Sequence, residues 1–209
     1  MILSRLKPFG FFVCVAMLLT ACGTMQLMQP DVTWKDPEYQ SSPHKVMVIG
    51  VAKSAVNRRV LEDEFVRQLN AWGTDAIASY TVLPDSEQND RAAVTEKVKE
   101  QGADAVLITR LVSKKTRQVY VPGTPYFPPP YYATWPDYYG YGYLAMTTPG
   151  YMAENEYAVI ESNLYNAGNE KLIWAASTET GLFGSNGEII KSYVGIIVKA
   201  MSKDGLFGR

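Results

Sequence analysis

Residues 45–51 read Lys45-Val46-Met47-Val48-Ile49-Gly50-Val51, a short and almost uninterrupted apolar run. A strand with one face in water would carry a polar residue at every second position. The run therefore predicts a strand that is covered on both faces, as in a parallel sheet with helices on either side. The same composition returns at Ala105-Val106-Leu107-Ile108, which predicts a second covered strand within residues 103–112.

The sequence predicts two helices between these strands. The first has its apolar residues at steps of four, four and three, on one stripe: Leu61, Phe65, Leu69 and Trp72. Glu62 falls outside this stripe and is expected on the polar side, and Gly73 is suited to end the helix in left-handed backbone. A strand at residues 75–80 and a mostly water-facing helix at residues 90–101, ended by Gly102, complete the alternation.

The last third of the chain has a different pattern. Residues 157–165 and 171–183 are two strand-like runs joined by Asn166-Ala167-Gly168-Asn169, a tight-turn sequence that predicts an antiparallel hairpin. Ser185-Asn186-Gly187-Glu188 matches a capping box. The helix that it begins has a broad apolar face made of Ile189, Tyr193, Ile196, Ile197 and Ala200.

Together these elements predict an α/β (α+β) fold in one domain, residues 44–209. Strand and helix alternation favours at least one parallel pair, and the late hairpin adds antiparallel strands. We expect a mixed sheet of about five strands with three helices, in two or three layers. The predicted order is β-α-β-α-β, a long aromatic loop, then β-β-α.

The aromatic loop is an insert at residues 120–151 with an unusual composition. It holds nine of the 14 tyrosines and seven of the 12 prolines, and Asp137 is its only charged residue. Prolines remove backbone donors, so we expect an extended loop without regular helix or sheet. Its rings make a candidate interaction surface, for which we select Tyr126, Tyr131, Tyr132, Trp135, Tyr138, Tyr139, Tyr141 and Tyr143.

Three roles for this insert remain open from the sequence alone. The insert can fold over the sheet and cover the hairpin and an open edge strand. It can dock a protein partner or a second copy of the chain, because tyrosine is enriched and charge is depleted at interface cores. It can also contact glycans or the membrane interface, where tyrosine and tryptophan are common.

The amino terminus has the parts of an export signal. Basic residues precede an apolar run at residues 9–19, which is shorter than the about 20 apolar residues of a spanning helix. The run ends at Leu19-Thr20-Ala21-Cys22, which resembles the bacterial lipobox, where a peptidase cuts before a cysteine that carries a diacylglycerol. We predict that residues 1–21 are a cleaved signal peptide, cut between Ala21 and Cys22, and that Cys22 is lipidated.

Lipidation predicts how the protein is held at a membrane. A diacylglycerol and an N-linked acyl chain on Cys22, with palmitate among the acyl groups, would anchor the protein without crossing the bilayer. No other cofactor is predicted. The sorting pattern of bacterial lipoproteins implies the outer membrane, facing the periplasm, because Gly23 and not aspartate follows Cys22. A host with a single membrane would carry the protein on that cell membrane. Residues 22–43 contain three prolines and are predicted to be a lipidated tether.

The composition argues against several functional classes. After cleavage the net charge is near minus three, so the chain lacks the basic excess of a nucleic-acid-binding protein. His44 is the only histidine, and Cys22 is predicted to be acylated, so no cluster has metal-ligand spacing. Glu161 lies inside a predicted strand, where Lys171 or Arg110 would make it structural. We therefore predict no catalytic residue and no metal site, and do not expect an enzyme.

The lipobox, residues 45–51, Gly102-Ala103-Asp104-Ala105-Val106-Leu107 and the late hairpin together resemble a group of proteobacterial outer-membrane lipoproteins. Their domain is similar to the amino-terminal domain of TolB and to the periplasmic core of the curli secretion lipoprotein. The resemblance covers roughly residues 44–207. The curli protein inserts membrane strands where this chain has its proline-rich insert, which argues against pore formation here.

These features predict a lipid-anchored, non-catalytic periplasmic protein that acts by binding in cell-envelope assembly or maintenance. The insert at residues 120–151 is the expected contact surface. Two alternatives are a glycan or peptidoglycan-binding module that uses the insert, and a homo-oligomeric secretion component. The expected partners are the membrane through the lipid anchor and an envelope protein or a second copy, with no nucleic acid.

Overall fold

The computed structural model describes residues 30–121, 123, 134, 136, 139, 140, 143 and 149–207. Its strands are β1 (Val32–Lys35), β2 (Lys45–Val51), β3 (Asp75–Ala78), β4 (Ala105–Val121), β5 (Tyr151–Asn166) and β6 (Leu172–Gly181). Its long helices are α1 (Ala55–Ala71), α2 (Arg91–Glu100) and α3 (Asn186–Lys203). The strands form one sheet in the order β1-β6-β5-β4-β2-β3. β2 pairs in parallel with β3 and β4, and the other neighbours are antiparallel, which confirms the predicted α/β class and mixed sheet.

The helices lie on both faces of the parallel part of the sheet. The chain steps from β2 outward to β3 through α1, and then back across β2 to β4 through α2. Right-handed crossovers in opposite directions place their helices on opposite faces. Accordingly, α1 and α3 share the larger core with β2, β4, β5 and β6, and Val98 of α2 packs with Met47 and Val106 on the other face.

The larger core contains one chain of hydroxyl groups. The Oγ1 of Thr109 lies 2.6 Å from the Oγ of Ser162, which lies 2.7 Å from the OH of Tyr193. All three side chains are buried, and the hydrogen bonds satisfy groups that would otherwise be costly to remove from water. Burial raises the pKa of Tyr193 well above its usual value near 10. The chain fixes α3 across β4 and β5.

The helix ends agree with the sequence. Ser54 caps α1, Asp90 caps α2, and Ser185 with Glu188 forms the predicted capping box of α3. Gly73 and Gly102 follow the first two helices with φ of +85° and +63°, in left-handed backbone that favours glycine.

Part of the predicted tether belongs to the folded domain. β1 pairs with β6 and makes a sixth strand where about five were expected. The Lys35 ammonium donates to the backbone oxygen of Asp204 at 2.8 Å, and Tyr39 packs against the core. The Asp204 carboxylate in turn accepts from the Trp174 indole at 2.7 Å. The β-branched residues Val32 and Thr33 favour a strand. The tether was predicted from the prolines of the whole segment, and that composition did not reveal this local preference.

Candidate interaction surface

β4 and β5 are both longer than the sequence predicted. β4 was expected to end at Val112 and continues to Val121, and β5 begins at Tyr151 instead of Tyr157. Residues 113–121 pair with residues 151–159 in unbroken antiparallel register. We call this pair of segments the ribbon. Its formation shortens the insert, because residues expected in a loop form strands instead.

The ribbon begins where β4 loses its neighbour β2. The last pair between these strands is Val51 with Arg110, and the register with β5 shifts between Leu111 and Ser113. Such a β-bulge bends a strand and increases its twist. Every residue of β4 from position 110 to position 120 is exposed, so the ribbon extends away from the core in the described part of the chain.

An ion cluster fixes the base of the ribbon to β6. The Glu179 carboxylate lies 3.3 Å from the Lys115 ammonium and 2.6 Å from the Arg117 guanidinium. The Arg117 guanidinium also lies 5.2 Å from the centre of the Tyr157 ring, which meets the Phe183 ring edge to face at 5.7 Å. Because only 15% of the Glu179 side chain is exposed, these contacts are less screened than a surface pair.

The far end of the ribbon carries no charge. Its last three pairs are Val119 with Ala153, Tyr120 with Met152, and Val121 with Tyr151. Exposed fractions are 40% for Val119, 61% for Tyr120, 63% for Tyr151 and 57% for Met152. We call these six residues the tip. Single exposed apolar side chains are ordinary, but a continuous group on a projecting element indicates a contact surface.

Two of the selected insert residues lie within the described part of the chain. The rings of Tyr139 and Tyr143 are stacked, with centroids 6.2 Å apart and planes 28° apart, and are 66% and 56% exposed. The backbone is helical at both residues and at Pro136, so the expectation of no regular structure in the insert was wrong here. Residues four apart meet on one side of a helix, which accounts for the stacked rings.

The other selected residues fall outside the described part of the chain. They are Ala21, Cys22, Tyr126, Tyr131, Tyr132, Trp135, Tyr138 and Tyr141. Their roles stay predictions.

A buried ion pair was missed by the sequence analysis. Glu62 was placed on the polar side of α1 but is fully buried, as is Arg58, whose Nε donates to Glu62 Oε1 at 2.9 Å. Glu62 also accepts from the backbone N–H groups of Gly50 and Tyr80 and from the hydroxyl of Ser79. Carboxylate burial is tolerated because both oxygens are hydrogen-bonded. The signal in the sequence was the basic and acidic pair at a spacing of four.

Glu161 has one of the two partners that the sequence suggested. The Arg110 guanidinium donates to its carboxylate at 2.8 Å, on the exposed side of the sheet. No cluster of three or more His, Cys, Asp or Glu residues suited to a metal ion occurs among the described residues. Within the same residues, no helix combines the length and apolarity needed to cross a bilayer.

Comparisons with known proteins give structural similarities only. No family model matches the chain, and no curated protein matches its sequence. Among solved structures, a PelC dodecamer from Paraburkholderia phytofirmans is similar, at 14% identity and a TM-score of 0.46, over 85% of this chain and 96% of that one. Lipoprotein GNA1162 from Neisseria meningitidis is similar at 14% identity and a TM-score of 0.43, over 77% and 99%. A minor lipoprotein from Acinetobacter baumannii is similar at 10% identity and 0.33, over 78% and 94%.

Proposed function

We propose that this chain is a lipid-anchored, non-catalytic envelope lipoprotein that acts by binding in envelope assembly or maintenance. Its anchor is the acylated Cys22 on the outer membrane, and its domain faces the periplasm. The export signal with its terminal lipobox supports the anchor and the destination. The insert is the proposed contact surface, and an envelope protein or a second copy is the proposed partner.

One observation carries the proposal. The strands that lead into and out of the insert are paired as far as Val121 and Tyr151, at the far end of the ribbon. A paired ribbon holds the ends of a loop together, so the loop loses less conformational entropy on binding than it would on a free chain. An aromatic segment with a single charged residue, Asp137, matches the composition of interface cores when it is presented in this way.

The stacked tyrosines favour a second candidate function. Exposed tyrosine rings such as those of Tyr139 and Tyr143 offer amphipathic faces on which sugars stack. A glycan or peptidoglycan-binding module is therefore the alternative. Purified sacculi should retain the wild-type protein and release the double variant Tyr139→Ala/Tyr143→Ala if this alternative is correct. Equal retention of the two proteins would exclude it.

Photocrosslinking in intact cells tests the main proposal. A photoreactive residue is placed at Tyr139 or Tyr143, and a matched control at Val56, which is 66% exposed like Tyr139 but lies on α1. We expect one adduct of reproducible mass from the insert positions and none from Val56. An adduct of twice the chain mass would identify a second copy as the partner. Absence of adducts at both insert positions would contradict a contact role.

A further inference from the structure

The predicted anchor and the ribbon leave the same end of the sheet. β1 runs antiparallel to β6 with Val32 opposite Ser177, so residues before Val32 approach from the end where β6 reaches Gly181. Gly181 lies opposite Tyr157, at the base of the ribbon. The described chain before Val32 therefore lies on the side toward which the ribbon projects.

The two segments also have similar lengths. Ser177 lies opposite Glu161, which lies opposite Arg110, so these residues mark the level of Val32 in the sheet. From that level to Tyr151 there are ten residues of β5, which span about 33 Å at strand spacing. From Cys22 to Val32 there are also ten residues, with a maximum reach of about 35 Å. A bilayer that holds the lipid on Cys22 is thus within reach of the tip.

Along the ribbon, the side chains change from uncharged to charged directly behind the tip. Its three uncharged pairs extend about 10 Å along the ribbon. The next two pairs are Gln118 with Glu154 and Arg117 with Asn155, which place both signs of charge directly behind the tip. An apolar and aromatic layer of this depth followed by charges is the pattern of elements that sit in the headgroup region of a bilayer.

We propose that the tip inserts into the headgroup region of the same bilayer that carries the lipid on Cys22. This inference rests on the proposed lipid anchor. The anchor keeps the tip at a high local concentration next to the surface, so a weak contact suffices for stable occupancy. The domain then stands with its sheet end toward the membrane, and the insert meets partners in the plane of the membrane.

The backbone of the ribbon limits the depth of insertion. In the described part of the chain, β4 has β5 as its only partner beyond Arg110, and β5 has β4 as its only partner before Tyr157. Unpaired backbone groups on these two edges need water or headgroup oxygens as partners, and lipid tails offer none. The tip therefore stays at interfacial depth and does not span the bilayer.

Site-directed fluorescence on the full lipidated chain tests this orientation. Cys14 leaves with the signal and Cys22 is acylated under the proposal, so an introduced cysteine is the only free thiol. A polarity-sensitive dye is attached to the Met152→Cys or Tyr151→Cys variant. The matched control is Lys171→Cys, an exposed site at the turn between β5 and β6, at the opposite end of the sheet. Each protein is reconstituted into vesicles of phosphatidylethanolamine and phosphatidylglycerol, with and without lipids that bear a nitroxide near the headgroup.

We expect a blue shift and nitroxide quenching at both tip positions and neither effect at Lys171→Cys. If the protein stays with the vesicles but the dyes at the tip respond like the control, the inference is overturned and the lipid anchor is unaffected. Self-quenching that grows with protein density, without nitroxide quenching, would show that the tip meets a second copy and would also overturn it. A wild-type chain that reacts with the dye at Cys22 and fails to stay with the vesicles would instead refute the proposed function.

Discussion

The ion pair of Arg58 and Glu62 is an electrostatic unit inside the protein. Its charges are compensated by each other, by Asp85 at 2.8 Å from the guanidinium, and by hydrogen bonds from β2 and the turn after β3. The pair therefore joins α1 to two strand ends. Removing one charge leaves the other buried with weaker compensation, which costs more than a surface pair.

Glu62→Gln should lower the free energy of unfolding by about 3 kcal/mol, because Arg58 loses its buried counter-charge. Denaturant unfolding at neutral pH, followed by circular dichroism, measures this change. Glu170→Gln is the control, since its pair with Arg91 is exposed on both sides and should contribute little. Equal effects of the two substitutions would show that Glu62 is not a structural charge.

Tyr193 gives the protein a stability that depends on pH. Its pKa is raised by burial above the unfolded value near 10. Above about pH 10 the folded state therefore keeps the phenolic proton, whereas the unfolded chain loses it. Stability from this group is complete below about pH 10 and is lost as pH rises further. Between about pH 9 and pH 11, the wild type should therefore lose stability more steeply than Tyr193→Phe. Parallel stability curves for the two proteins would contradict the buried hydroxyl chain.

Burial was predictable for apolar residues that recur at helical spacing. It was not predictable for a charged residue whose burial depends on hydrogen bonds in the folded chain. Phe65 and Leu69 lie in the core as the helical spacing predicted. The burial of Glu62 depends on donors from Gly50 and Tyr80, which are distant in sequence and meet only in the folded chain. The stacking of Tyr139 on Tyr143 follows from a spacing of four, but the prolines nearby favoured a loop.

The ribbon is held at its base by Glu179, a residue of β6 that pairs with two cations of β4. Glu179→Gln should accelerate amide hydrogen exchange of ribbon residues 113–119 about three-fold, equivalent to about 0.6 kcal/mol. Amides of residues 105–109, inside the sheet, should keep their rates. Exchange measured by mass spectrometry on the intact chain gives both values.

Glu154→Gln provides the comparison on the same ribbon. Among the described residues, the Glu154 carboxylate accepts a hydrogen bond only from Gln118, at 3.3 Å and in an exposed position, so this substitution should leave exchange unchanged. Exchange that responds equally to both substitutions, or to neither, would refute the role of Glu179 in holding the ribbon.

At the level of elements, the sequence predicted which strands and helices exist better than where they end. β2 and the start of β4 were predictable because they are apolar at successive positions, which is typical of strands buried on both faces. β4 beyond Val112 and β5 before Tyr157 have no sustained apolar pattern in the sequence, and they form strands because each supplies the other with a partner along the ribbon. β1 likewise depends on the edge of β6, which a local pattern does not reveal.

At the level of the whole molecule, the sheet relates the two parts of the proposed function, the lipid anchor and the contact surface. β1 lies at the edge of the sheet, and the paired segments of β4 and β5 extend from the end of the sheet at which β1 begins. Helices α1 and α3 pack together on one face of this sheet, and the buried hydroxyl chain joins α3 to β4 and β5. Under the proposed function, the contact surface would lie next to the membrane that holds the lipid on Cys22.

Metabolic labelling with a palmitate analogue tests the lipid anchor most directly, because the proposed function and the proposed orientation of the tip both depend on acylation of Cys22. We predict that the wild type and Cys14→Ser, whose substitution lies in the signal, both incorporate the label and fractionate with membranes. Cys22→Ser should incorporate none. An unlabelled wild type, or a Cys22→Ser protein labelled as strongly as the wild type, would contradict the account.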